Sequence, residues 1–204
     1  MTPHQKHGDL TRLGPNAVHL CIDMQNLFGP GAPWMTPWLP RVLPNIVALA
    51  RRFADRTIFS RFIPPWRPEA ARGQWRVFYQ HWHQVTQHEL PREMLELLPP
   101  LRALVPPAQV IDKAGYSAFH GTDLYDRLRA READSVILTG VETDVCVLST
   151  ALDAIDLGLK VFMVRDCLCS SRDDTHDALV RLYEQRFSHQ VEMVSFEQLQ
   201  QGWR

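Results

Sequence analysis

The stretch VILTGVETDVCVLSTALDAIDLG, from Val136, constrains the fold more than any other part of the chain. A short, unbroken apolar run stops at a glycine, and a helical pattern follows almost at once. A run that short and that apolar suits a strand covered on both faces, and the next helix must return over the sheet. The same alternation recurs along the chain. AVHLCID from Ala17 and TIFSRF from Thr57 come first, then QVID, SVILTG, KVFMVRD and VEMVS. Between them, VLPNIVALARRFAD puts Ile46, Leu49, Ala50 and Phe53 on one stripe, with Pro44 tolerable in its first turn. GTDLYDRLRARE offers Thr122 as an N-cap, and ALDAIDLG stops at Gly158, a favoured residue just past a helix. SRDDTHDALVRLYEQRF is acidic at its start and carries Arg181 and Arg186 later, in keeping with the helix dipole. Six strands alternating with helices predict an α/β, three-layer αβα sandwich. Its six-stranded, mostly parallel sheet is Rossmann-like, with right-handed crossovers.

Composition narrows the partners. A net charge of -1 gives no electrostatic reason to expect nucleic acid or anionic lipid. The opening MTPHQKHGDL has no apolar core of a signal peptide, and no later run is long enough to span a bilayer. The four cysteines then read as thiols of a cytoplasmic protein rather than a disulfide frame. With no linker-like segment in 204 residues, one domain over 1–204 is expected. The irregular part is 63–105, where Trp66, Trp75, Phe78, Tyr79 and Trp82 crowd together. This excursion suits a lid or pocket wall, or a peripheral helix whose aromatics pack on the body or on another subunit.

In such a sheet, ligands bind beyond the C-terminal ends of the strands, so residues just after strands are the ones to weigh. They include Asp23, Arg61, Lys113, the turn from Gly140 to Cys146, and Asp166. A thiol is mostly protonated at neutral pH, but a helix N-terminus and a nearby ammonium both favour its thiolate. A carboxylate within reach can take the thiol proton and later deliver it to a leaving amine. Amides of the turn would face a developing oxyanion. Together Asp23, Lys113 and Cys146 suit acyl transfer through a thioester. Singly, Asp23 reads as a cap, Lys113 as a surface residue and Cys146 as core filler. Asp166 reads better as a turn or cap residue than as a catalyst. Cys21 shares a strand face with Asp23 by the period of two and is expected to pack beneath the site. Cys167 and Cys169 lack a second cysteine pair for zinc and read as packing residues.

CIDMQNLF, VIDKAGYSAFHGTDL and LTGVETDVCVLSTALDAIDLGLKVFMVRDC resemble the three signature blocks of the isochorismatase-like cysteine hydrolases. That superfamily includes nicotinamidases, N-carbamoylsarcosine amidases, ureidoacrylate and biuret hydrolases, and isochorismatases proper. The resemblance runs from Ala17 to Phe196 and is weakest after Ile63. It implies a parallel αβα sandwich and a triad of Asp23, Lys113 and Cys146. It also implies a cis peptide between Val141 and Glu142, with the backbone N–H groups of Glu142 and Cys146 forming an oxyanion hole. Thr143 would support the turn or cap the helix.

The resemblance also separates the activities. Nicotinamidases carry a metal site with an Asp-x-His pair after the second strand, where this chain reads FSRFIPPWRPE. His81, His83 and His88 come later, and the first two point to different sides of a helix, so they read as surface or lid residues. Neither metal nor cofactor is expected. Isochorismatases proper cleave a vinyl ether and lack the nucleophilic cysteine. The expectation is therefore a cysteine amidohydrolase for a small amide, carbamoyl or ureido substrate. The alternatives are a vinyl-ether hydrolase or a non-catalytic, binding or redox-sensing member of the fold. Arg61 would pair with a substrate carboxylate or carbonyl. Phe28, Trp66, Tyr116 and Phe119 would wall the pocket. A homo-oligomer, dimer or tetramer, is expected.

Overall fold

The computed structural model describes residues 13–203. The segment read for an export signal, and with it both ends of the expected 1–204 unit, lies outside those residues. Six strands form one sheet: β1 (Val18–Ile22), β2 (Thr57–Phe62), β3 (Gln109–Lys113), β4 (Ser135–Gly140), β5 (Lys160–Leu168) and β6 (Val191–Val194). They pair in the order β3-β2-β1-β4-β5-β6, and every pairing is parallel. β1 therefore lies between the two halves, and the chain reverses direction across the sheet between β1 and β4. That reversal opens a crevice beyond the strand ends.

Each strand alternates its side chains between two helical layers. Val18, Leu20 and Ile22 face a core built with α4 (Leu124–Ala130), α5 (Leu148–Asp156) and α6 (Asp173–Arg186). Cys21, Phe59, Ile137 and Phe162 face the opposite core, closed by α1 (Leu39–Arg52) and α7 (Phe196–Gly202). This two-sided burial is why the strands read as nearly continuous apolar runs. Among the described residues no helix is long and apolar enough to cross a membrane.

Local details shift some boundaries. α1 begins at Leu39, with Pro40 in its first turn, so Pro44 falls inside the helix rather than in the opening turn. The proline forfeits only the bond to the Pro40 carbonyl, at an exposed position where solvent can replace it. α4 is flanked by Asp123, one residue later than expected, although Thr122 Oγ1 still accepts the Leu124 N–H at 3.2 Å. β5 continues past Asp166 to Leu168. The Asp166 carboxylate accepts the N–H of Phe196, the first residue of α7, at 2.7 Å, so it serves as a helix cap. Gly158 has φ +82 and ends α5 by donating to the Ile155 carbonyl.

The excursion after β2 folds back on the body. It contains α2 (Gln74–His81), the short α3 (Pro99–Arg102) and several 3₁₀ turns. Leu98 N–H donates to the Met24 carbonyl and Asn26 N–H to the Glu96 carbonyl. The buried Gln25 side chain donates to the Phe62 and Leu95 carbonyls and accepts the Phe62 N–H. One amide thus ties the exits of β1 and β2 to the excursion.

Candidate active site

Three strands deliver the polar residues of the crevice. Asp23 follows β1, Lys113 ends β3, and Cys146 lies in a π-helical turn, Thr143–Val147, between β4 and α5. The Lys113 Nζ is 2.7 Å from Asp23 Oδ2 and 3.4 Å from Cys146 Sγ. A third bond of 3.0 Å runs from Nζ to the Gly115 carbonyl. Asp23 is held by Ser60 of β2, whose Oγ donates to Oδ1 at 2.6 Å and accepts the Asp23 N–H at 3.1 Å. Ser60 escaped the sequence reading, because only the β1–β2 register brings it there.

The electrostatics differ from the expected thiolate. Cys146 is 6% exposed, and burial together with the Asp23 carboxylate pushes its thiol well above the ordinary cysteine value. Lys113 offsets this only in part. Burial alone would depress the Lys113 ammonium, but Asp23 and Cys146 more than reverse that and raise it. The resting site is thus a neutral thiol beside a carboxylate–ammonium pair. The helix and the ammonium were visible in sequence; the depth of burial was not.

The turn carrying Cys146 is closely fitted. Gly140 has φ +108, and a Cβ there would lie 2.0 Å from the Ile22 carbonyl oxygen. Only glycine lets β1 and β4 approach so closely. The Val141–Glu142 peptide is cis. Among the described residues the Glu142 N–H has no acceptor. The Thr143 N–H and Oγ1 both donate to the Cys169 carbonyl, at 3.1 and 3.2 Å. Thr150 Oγ1 donates to the Cys146 carbonyl at 2.7 Å.

The walls are aromatic. Lys113 Nζ lies 5.0 Å from the Phe62 ring centre, and Trp75 packs 6.4 Å from Phe62 and 4.8 Å from Tyr116. Burial, then Cys146 and Glu142, raise the Tyr116 hydroxyl, which places that residue beside the site. Phe119 packs in the core cluster that includes Cys146. Phe28 is buried against Trp34. In the sequence Trp75 is only one of the crowded aromatics of the excursion, since nothing in that segment marks which of them turns toward Phe62 and Tyr116.

Two expected pocket residues lie elsewhere. Arg61 and Phe62 alternate faces, and Phe62 is the register partner of Lys113, so Arg61 projects to the other side of the sheet. Its guanidinium is occupied by Asp112 at 2.7 and 2.9 Å and by Glu96 at 3.1 Å. Trp66 is 55% exposed and packs edge-on to His88. Both line a separate cavity of about 290 Å³, with Glu96 and Asp112, whose lining includes none of Asp23, Lys113 and Cys146. Cys21 is also misplaced by the period of two. Asp23 has φ +50, so strand alternation ends at Ile22; Cys21 lies in the α1 core and Cys146 in the α5 core. Cys21, Cys167 and Cys169 are buried free thiols.

His81, His83 and His88 are exposed, and His88 is paired with Glu89 and Arg67. Among the described residues no three His, Cys, Asp or Glu side chains converge as a metal site would need, so the donor set of a nicotinamidase-type centre is not assembled here.

A family model described as the isochorismatase domain matches residues 17–194. The chain belongs to the isochorismatase family. Like other members of this isochorismatase family, it is a hydrolase by descent. It is 29% identical over 182 residues to maleamate amidohydrolase of Pseudomonas putida, covering 84% of this chain and 80% of that protein. It is 29% identical over 163 residues to nicotinamidase 3 of Arabidopsis thaliana, covering 79% and 77% of the two chains. Among solved structures, a cysteine hydrolase from Pseudomonas syringae superposes with a TM-score of 0.78 at 24% identity, covering 93% of each chain. That likeness speaks for the fold of the isochorismatase family.

Proposed function

We propose that this chain is a cysteine-dependent amidohydrolase that cleaves the C–N bond of a small amide, carbamoyl or ureido substrate through a thioester on Cys146. The reading rests on one observation: a buried Lys113 ammonium that touches both the Asp23 carboxylate and the Cys146 sulfur. The amidase names of two family relatives support it.

In the first half-reaction, Asp23 takes the Cys146 proton as sulfur bonds to the substrate carbonyl carbon. The carbonyl electron pair moves onto oxygen, which the Glu142 and Cys146 N–H groups stabilise. Collapse expels nitrogen, which takes the proton from Asp23 and leaves as ammonia or an amine. In the second half, Asp23 takes a proton from water as its oxygen adds to the thioester carbon. Sulfur then departs and is reprotonated by Asp23, and a carboxylic or carbamic acid is released. Lys113, 2.7 Å from Asp23, stays beside it through the two halves and balances charge on sulfur. A neutral resting thiol fits this scheme, because the nucleophile forms only as substrate is attacked.

Mass spectrometry of protein quenched during turnover of an amide and ureide panel tests this reading. An acyl mass on the peptide carrying Cys146, absent from Cys146→Ala, is expected; turnover by Cys146→Ala at the wild-type rate overturns it. Similarity to the probable isochorismatase of Pseudomonas chlororaphis, 34% over 162 residues, favours vinyl-ether hydrolysis as the second reading. Vinyl-ether cleavage that survives in Cys146→Ser would select it. We place the enzyme in the cytoplasm, in keeping with its unpaired thiols, and propose that it is a homo-oligomer.

A further inference from the structure

A polar cluster behind the nucleophile turn is not used by the steps above. The loop after β5 and the first turn of α6 grip the turn at three successive residues. Ser171 N–H donates to Glu142 Oε1 at 3.0 Å. Ser170 Oγ and Thr175 Oγ1 both donate to the Asp144 carboxylate. Between these, His176 Nδ1 lies 2.9 Å from Thr143 Oγ1. Thr143 has a single hydroxyl proton, and it goes to the Cys169 carbonyl. With the hydroxyl directed there, His176 Nδ1–H is the donor to Thr143 Oγ1, an assignment of tautomer that completes both bonds. Thr143 is fully buried, follows the cis peptide, and stands between the two N–H groups assigned to the oxyanion.

We propose that His176 is a positioning residue for acyl transfer: through Thr143 it sets the aim of the Glu142 and Cys146 amides. This rests on the oxyanion role given to those amides above. The alternative, that His176 merely docks α6, is less suited to the geometry. Thr175 and Ser170 already anchor that helix and its preceding loop to Asp144, whereas His176 alone reaches Thr143 from α6.

Two reagents separate the roles on the full chain. Acetyl transfer from p-nitrophenyl acetate to Cys146 develops an oxyanion; alkylation by iodoacetamide displaces iodide and develops none. His176→Ala is expected to slow acetylation about 10- to 100-fold while leaving alkylation within about twofold, the size expected when an oxyanion donor is misaimed. His176→Asn, whose Nδ2 can stand where Nδ1 does, should recover most of the acetylation rate. If His176→Ala does not fold, His176→Gln carries the same comparison, because its longer side chain places the donor elsewhere. Equal slowing of both reagents, unchanged acetylation, or no rescue by asparagine overturns the assignment. A wild-type protein whose Cys146 accepts no acetyl group overturns the thioester reading itself, and the assignment falls with it.

Discussion

The Lys113 ammonium lies 2.7 Å from the Asp23 carboxylate, and neither side chain is open to solvent. Removing one member of such a pair strands a buried charge, at a cost of roughly 3–5 kcal/mol. Lys113→Met should therefore abolish turnover and lower unfolding free energy by about 3 kcal/mol. The double variant Asp23→Asn, Lys113→Met should regain most of that stability and none of the activity. Urea denaturation of wild type, Lys113→Met, Asp23→Asn and the double variant checks this, and additive losses in the double variant would refute the coupling.

The raised Cys146 thiol predicts how the empty enzyme reacts. Below the thiol pKa the thiolate fraction grows about tenfold per pH unit. Iodoacetamide labelling of Cys146, followed by peptide mass spectrometry, should keep accelerating through neutrality. A plateau already reached near neutral pH would show that Lys113 and the turn amides outweigh burial and Asp23.

Ser60 holds Asp23 by a 2.6 Å bond to its carboxylate. Bonds to charged groups contribute about 1.5–3 kcal/mol, so Ser60→Ala should lower kcat about tenfold or more. KM should change little, since Ser60 is bonded to Asp23, the proposed base. Steady-state kinetics on any accepted amide decides it. A KM effect without loss of kcat would place Ser60 in substrate binding instead.

His19 supplies a pH dependence of stability. It is fully buried, with Nδ1 at 3.1 Å from Thr57 Oγ1 and Nε2 at 2.8 Å from Thr139 Oγ1, and burial lowers its pKa to about 3. The unfolded chain protonates this ring near pH 6.5, so its contribution is full above that value and is lost as pH falls toward about 3. Between about pH 7 and pH 4, wild type should lose on the order of 3 kcal/mol more than His19→Gln. Parallel denaturation curves at the two pH values test it; equal losses would mean the ring is not the titrating group.

Much of this arrangement could be read from residue order alone, for identifiable reasons. Asp23 and Lys113 stand where apolar runs stop, and Cys146 stands where a strand gives way to a helix, so all three are placed by local pattern. What escaped depends on distant pairings. Arg61 meets Asp112 only through the β2–β3 register, and Ser60 meets Asp23 only through the packing of β2 on β1. His176 lies 33 positions from Thr143, with a whole helix and strand between them. The left-handed backbone of Asp23 ended the alternation that had put Cys21 beneath the site, and no neighbouring glycine or asparagine announced it.

Among the described residues β3 is an edge strand, paired only with β2, and it carries Lys113 at its last position. Edge strands open more readily than central ones, exposing their amides to exchange. Arg127 of α4 bridges to the Gln109 side chain and the Val110 carbonyl at the start of that strand. The ammonium on which both proposed half-reactions depend thus hangs from an edge of the sheet. Mild heating should extinguish turnover before the central strands melt, so that inactivation and loss of ellipticity part company on the temperature axis.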